Sequence, residues 1–83
     1  MYDLINYWGI KMKPDLKLGR YQHFKGNHYQ VIDLVRHSED GTYLVLYRPL
    51  YGKGDLWVRP YEMFTEKVDT EIGLVQRFQY LTD

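Results

Sequence analysis

Between Arg48 and Phe64 the chain reads Arg-Pro-Leu-Tyr-Gly-Lys-Gly-Asp-Leu-Trp-Val-Arg-Pro-Tyr-Glu-Met-Phe, and this stretch restricts the fold more than any other. Pro49 cannot donate an amide hydrogen to a β-ladder, so it ends the strand that leads into it. Gly52-Lys53-Gly54-Asp55 reads as a turn. That leaves room for only a short strand over Leu56 to Arg59. Pro60 suits the start of a single helical turn through Tyr61, Glu62, Met63 and Phe64. Met63 and Phe64 are then expected to enter the core.

The flanking sequence has the period of strands. Gly19 to Lys25 reads as a first strand. Gly26-Asn27 is a two-residue hairpin signal that pairs Lys25 with His28 and Phe24 with Tyr29. His28 to Ser38 is a second strand, apolar on parts of both faces and therefore expected to be central. Glu39-Asp40-Gly41 turns the chain into a third strand, Thr42 to Arg48. Two registers compete there. A two-residue turn sets Asp33 opposite Arg48, an attractive cross-strand pair. A three-residue loop with Gly41 in the left-handed region sets Val35 opposite Val45 and Leu34 opposite Leu46. The second gathers Ile32, Leu34, Leu44 and Leu46 on one face and is preferred. Thr65 to Asp69 and Leu74 to Tyr80 complete six strands, joined by a turn over 69–73.

Short strands, tight turns and one helical turn before a late strand point to an all-β fold. The expected form is a small SH3-like antiparallel barrel with a short helical turn over residues 19–83. Residues 1–18 are expected to be an N-terminal arm or short helix. There Asp3 can cap a turn that brings Leu4 to Tyr7 and Trp8. Leu4, Ile5 and Trp8 would cover a barrel opening or a second subunit. An open meander packed on that helix is the other arrangement.

Composition narrows the function classes. The 83 residues contain no cysteine, which removes disulfides and thiolate zinc sites. No apolar run approaches the roughly 20 residues of a membrane span, and the N-terminus lacks the pattern of a signal peptide. A soluble, cytoplasmic protein without membrane partners is expected. Charges balance at 11 basic and 11 acidic residues. The middle of the chain is mildly basic and the tail acidic. This pattern allows a small anionic ligand but disfavours nucleic acid, whose binding draws on a larger basic excess.

Four words follow one another in order: Gly-Arg-Tyr-Gln-His-Phe-Lys-Gly (19–26), Arg-His-Ser-Glu (36–39), Leu-Val-Leu-Tyr-Arg-Pro-Leu-Tyr-Gly (44–52) and Leu-Trp-Val-Arg-Pro-Tyr-Glu-Met-Phe (56–64). Together they resemble the domain of unknown function family sixteen fifty-three, small bacterial and phage proteins. The resemblance runs from about Gly19 to Val68. Phe24 and Pro49 depart from its pattern of a tyrosine and a smaller residue. It implies a small all-β domain and no established activity.

The chemistry-bearing residues sort into three groups. His23, His28 and His37 are the only histidines. The expected first hairpin puts His23 and His28 on one face beside Lys25, a poor environment for a cation, so no metal and no cofactor are expected. Ser38 lies between His37 and Glu39, but strand neighbours point to opposite faces. It reads as turn chemistry, and no catalytic residues are assigned. The third group is Arg36, His37, Tyr47, Arg48, Tyr51, Trp57 and Arg59. Arg and aromatic residues in this mixture suit stacking, cation–π contact and paired hydrogen bonds to a carboxylate or phosphate. If Leu56 and Val58 face inward, Trp57 and Arg59 stand outside together. Alternatively Trp57 is itself a core residue, with the arginines in internal ion pairs. The expected function is a non-enzymatic binding module for a small anionic or nucleotide-like ligand. The alternative is a structural or regulatory interaction domain, with a partner protein or a homo-oligomer as its target.

Overall fold

The computed structural model describes residues 13–83. The expected helix around Leu4, Tyr7 and Trp8 lies outside the described residues. Among the described residues, seven strands and one helical turn follow in order. They are β1 (Gly19–His23), β2 (His28–Arg36), β3 (Tyr43–Pro49), β4 (Trp57–Pro60), α1 (Tyr61–Thr65), β5 (Lys67–Thr70), β6 (Gly73–Gln76) and β7 (Phe78–Thr82). The fold is all-β and antiparallel. Five strands form one sheet in the order β4-β3-β2-β1-β7, and β5 and β6 form a separate hairpin. The two outermost strands, β4 and β7, do not pair with each other, so the sheet is not closed.

Both hairpins differ in register from the sequence reading. In the first, Gln22 faces His28 and Tyr21 faces Tyr29. The His23 amide donates to the Asn27 carbonyl at 2.8 Å, and the Gly26 amide donates to the His23 carbonyl at 2.7 Å. Three residues therefore make the loop, and β1 stops at His23 instead of Lys25. His23 and His28 consequently lie on opposite faces, not on one. In the second hairpin Arg36 faces Tyr43, Val35 faces Leu44 and Leu34 faces Val45. The His37 amide bonds Thr42 O at 2.8 Å, which leaves a four-residue loop over 38–41. Gly41 turns that loop with φ +72°, a conformation open to glycine at little cost. Asp40 fixes the exit, accepting from the Thr42 amide at 2.9 Å and its hydroxyl at 2.7 Å. These bonds hold the Asp40 carboxyl below its ordinary pKa.

A β-bulge at Ile32 then shifts the β2–β3 pairing, so that Val31 faces Tyr47 and Asp33 faces Leu46. Ile32, Leu34, Leu44 and Leu46 therefore do not share a face. The bulge restores Val31 and Leu34 to the same side, which packs inward with Val45 and Tyr47. The core is these four with Tyr21, Phe64 and Phe78. Leu16 packs against it from the extended segment before β1. That segment is tied down by two bonds: Tyr21 Oη donates to Lys17 O at 2.6 Å, and Tyr61 Oη donates to Asp15 O at 3.2 Å.

Helix α1 follows Pro60 as the sequence predicts, with Thr65 Oγ1 donating back to Tyr61 O at 2.9 Å. Phe64 enters the core, whereas Met63 remains exposed. The expected sixth strand, Leu74 to Tyr80, is two strands. The chain bends at Arg77, whose amide bonds Glu66 O at 3.1 Å and whose guanidinium bonds the Glu66 carboxylate at 2.5 Å. β6 then pairs with β5, and β7 with β1. No helix among the described residues is long and apolar enough to cross a membrane.

Candidate ligand-binding site

The inward face of the sheet carries a continuous run of rings. Phe64 stacks on Phe78 with centroids 4.1 Å apart. Phe78 meets Tyr47 at 5.8 Å, Tyr29 at 5.4 Å and His23 at 4.8 Å, each edge-on. Tyr29 extends the run to Tyr51, where the two hydroxyls share a hydrogen bond of 3.1 Å. Edge-on pairs set the positive rim of one ring against the negative face of another, so each ring fixes its neighbour's angle.

Strand pairing decides which predicted residues join this run. Trp57 lies directly opposite Tyr47, and Arg59 opposite Val45, so both stand on the core side of the sheet. Val58 pairs with Leu46 on the outer side. This is the reverse of the arrangement with Leu56 and Val58 inward. Trp57 is nevertheless 57% exposed, because β4 is the sheet's edge and the core does not extend over it. Arg59 is half-buried. Its guanidinium sits 5.5 Å from the Phe78 ring centre, and its Nε donates to the Tyr47 hydroxyl at 3.4 Å.

These rings border a cleft of about 410 Å³. Tyr29, Tyr47 and Pro49 form its floor, and Tyr51 and Trp57 stand beside it. The Gly52–Asp55 turn closes one side and brings in Lys53 and Asp55. Three of the seven sequence-predicted residues, Tyr47, Tyr51 and Trp57, thus line one hollow, and a fourth, Arg59, is held against Tyr47 behind it. The other three lie elsewhere. Arg48 follows Tyr47 in β3 and points to the opposite face. Arg36 is spent within its own hairpin, with Nε donating to Gly41 O at 3.2 Å and the guanidinium 4.9 Å from the Tyr43 ring centre. His37 lies in the same turn, its Nδ1 accepting from the Glu39 amide at 3.1 Å.

Sequence reasoning missed Tyr29, His23, Phe78 and Lys53. The signal for the first two was the alternation Tyr21, His23 and Tyr29, which only the three-residue loop brings into phase. A wider hollow of about 590 Å³ lies between the tips of the β1–β2 and β5–β6 hairpins. Its walls mix long polar side chains such as Gln22, Lys25, Gln76 and Gln79 with His23, Phe24, Ile72 and Val75. The long chains lose rotamer freedom on gripping a ligand, whereas the rings of the smaller cleft are already held edge to face, so the cleft is the better organised site. Among the described residues no three histidine, aspartate or glutamate side chains gather as a metal site.

The cleft's own lining carries one charge of each sign, Lys53 and Asp55, with Arg59 behind Tyr47. Burial lowers the His23 pKa, and the nearby charges of Arg59, Arg77 and Lys25 lower it further. His23 is therefore neutral at pH 7, and Arg59 supplies the fixed charge. Burial pushes Tyr29 up to about 12, with the Tyr51 hydrogen bond adding to it. Tyr21 is likewise raised to about 12, chiefly by burial. A raised phenol pKa means the folded state holds its proton more tightly than the unfolded chain, where it leaves near pH ~10. The stabilisation is full below about pH 10 and fades as the pH rises towards about 12. Urea unfolding at about pH 9 and about pH 11 measures this. The stability is expected to fall between them, and to fall less in Tyr29→Phe. An equal fall in that variant would remove Tyr29 as a cause.

Comparison with known proteins agrees with the fold. The family DUF1653, described as a protein of unknown function, matches residues 19–80. The chain belongs to the DUF1653 family. A crystal structure of a DUF1653 protein from Bordetella bronchiseptica is 35% identical, with a TM-score of 0.75. The match covers 81% of this chain and 88% of that one. No curated protein matches. Within this DUF1653 domain, the words that carry the resemblance supply much of the cleft. Residues 44–52 contribute Tyr47, Pro49, Tyr51 and Gly52, and residues 56–64 contribute Trp57.

Proposed function

We propose that this DUF1653 domain is a non-enzymatic binding module whose cleft takes a small ligand combining a flat ring with a negative group. The observation that carries this is the contrast among the aromatic residues. Tyr47 is buried and locked against Phe78, while Trp57 at 57% and Tyr51 at 51% stand exposed beside the same hollow. Exposed rings held by a rigid aromatic floor offer stacking surface at little ordering cost. Arg59 and Lys53 supply positive charge for a carboxylate or phosphate, and Asp55 tempers it. The geometry offers faces and charges, with no nucleophile beside a base. A nucleotide-like ligand fits this chemistry. We read the scaffold as a partly open relative of the SH3-like type, supported by the bulged sheet and the helical turn before the late strands.

Titration with adenosine monophosphate and with benzoate, followed by tryptophan fluorescence, tests the proposal. A Trp8→Phe background leaves Trp57 as the reporter. Arg59→Gln, read by fluorescence, and Trp57→Ala, read by calorimetry because it lacks the reporter, are each expected to weaken binding by about tenfold or more, the equivalent of roughly 1.4 kcal/mol. Arg48→Ala, on the opposite face, is expected to leave it unchanged. No response to either probe, or equal losses in all three variants, would overturn the reading.

A further inference from the structure

We infer that the free edge of β4 is a self-association surface, on which a second copy of this chain pairs antiparallel about Val58. Among the described residues nothing pairs with the outer side of β4. The edge is apolar: Leu56, Trp57 and Val58 are 53%, 57% and 52% exposed. Open edges are usually blunted by lysine, by proline within the strand or by a bulge. Here Pro60 guards only one end. The single charge, Arg59, is folded back over Phe78 and Tyr47. The other outer strand, β7, is treated differently: its pairing with β1 carries an irregularity at Arg20–Tyr21, and Lys17 covers Tyr80 at 4.9 Å.

The occupant follows from the order of residues along the edge. Run antiparallel to itself about Val58, the segment 56–60 is complementary. Val58 meets the partner's Val58. Leu56 meets the partner's Pro60. Trp57 meets the partner's Arg59, and Arg59 meets the partner's Trp57. Facing residues in such a pair have Cβ atoms about 4.5–5.5 Å apart. The Arg59 guanidinium stays over Phe78 and Tyr47, so no like charges face each other across the axis, and the pairing rests on the apolar contacts at Val58, Leu56 and Pro60. Leu44 and Leu46, on the outer face of β3 beside Pro60 and Val58, extend the aliphatic strip away from the axis on each side. Any surface that matches itself under a two-fold rotation makes a closed dimer instead of a fibre. The strand is only four residues long, so the contact is smaller than a permanent dimer interface and the association is weak and reversible.

Sedimentation equilibrium from about 10 µM to about 1 mM tests this, a range suited to weak interfaces. A monomer–dimer equilibrium is expected. Val58→Lys places two ammonium groups against each other across the axis, where like charges repel. Because Val58 is exposed, the variant is expected to keep its fold, checked by its melting curve. Its dimer dissociation constant is expected to rise at least about tenfold, the equivalent of roughly 1.4 kcal/mol. Hydrogen exchange gives a second reading. Amides of residues 56–59 are expected to gain protection with concentration in the wild type and not in Val58→Lys. A wild-type chain that stays monomeric at about 1 mM, or a folded Val58→Lys that dimerises as well, overturns the inference. Trp57 borders both the edge and the cleft, but Val58 lies on the other face, so Val58→Lys tests the pairing without altering the cleft's lining.

Discussion

Replacing Phe64 with alanine is expected to cost about 3–5 kcal/mol, the range for a buried aromatic ring truncated to a methyl. Phe64 is 1% exposed and is among the largest fully buried side chains. It stacks on Phe78 at 4.1 Å with ring planes 3° apart, and it meets Tyr21 edge-on at 5.4 Å and Tyr47 at 5.5 Å. The cavity left behind has walls held by the sheet, so it closes poorly and the cost falls high in the range. By the per-residue rule a domain of this length holds only about 4–12 kcal/mol in total. The variant is therefore expected to lose a large share of its stability and to be partly unfolded at 37 °C. Urea denaturation followed by circular dichroism measures it, and Phe64→Leu should lose distinctly less. A loss below about 1 kcal/mol for Phe64→Ala would show that α1 is not what closes this core. The site should feel the change too. Phe64 supports Phe78, and Phe78 carries the Arg59 guanidinium, so ring and charge lose their seat together.

The parts of the fold that were legible in the sequence are those governed by local covalent limits. Pro60 at the start of α1, the Gly52–Asp55 turn and the short strand between them follow from missing amide hydrogens and turn residues. None of these depends on a distant partner. The number of residues in each hairpin loop was not legible. Gly26-Asn27 is a strong two-residue signal, yet the chain closes with three residues, because only that phase sets Tyr21 and Tyr29 side by side on the core face. Glu39-Asp40-Gly41 likewise opens into four residues, and the Ile32 bulge then corrects the phase of β2. A bulge leaves no composition mark, because it is set by what the opposite strand must bury. The break at Arg77 is similar. No glycine or proline stands there, and the bend is imposed by Glu66, the residue between α1 and β5.

These register differences account for the candidate site. Strand alternation makes a one-residue slip exchange the faces. Tyr47 and Arg48 could never share a face, so a grouping by sequence proximity had to lose one of them. Trp57 and Arg59, two apart, stay together under any register. What the sequence could not show was which side they join, or that Tyr29 would form part of the floor beside them with Phe78 packed behind it.

Gly19→Ala is expected to cost roughly 2–4 kcal/mol, although it adds only one methyl group at the mouth of β1. Two independent causes act there. Gly19 has φ +133°, a region that side chains with a Cβ rarely enter. The added carbon would also lie 2.5 Å from the Thr82 carbonyl oxygen and 2.7 Å from the Asp83 Cα, both backbone atoms that no rotamer change can remove. The end of β7 must therefore move away from β1, or β1 must untwist. The two causes can be separated. Deleting Thr82 and Asp83 from the Gly19→Ala variant removes the clash and leaves the backbone strain, so it should recover part of the loss and not all. Full recovery would mean that the dihedral costs nothing, and no recovery would mean that it costs everything. In the variant that keeps the tail, amide exchange should rise first along β7, the strand that the methyl displaces. A loss within about 0.5 kcal/mol, the usual range for surface substitutions, would show that β1 and β7 do not approach this closely in solution. The edge of the sheet opposite β4 would then be as open as β4 itself, and the contrast between a guarded and an unguarded edge would disappear.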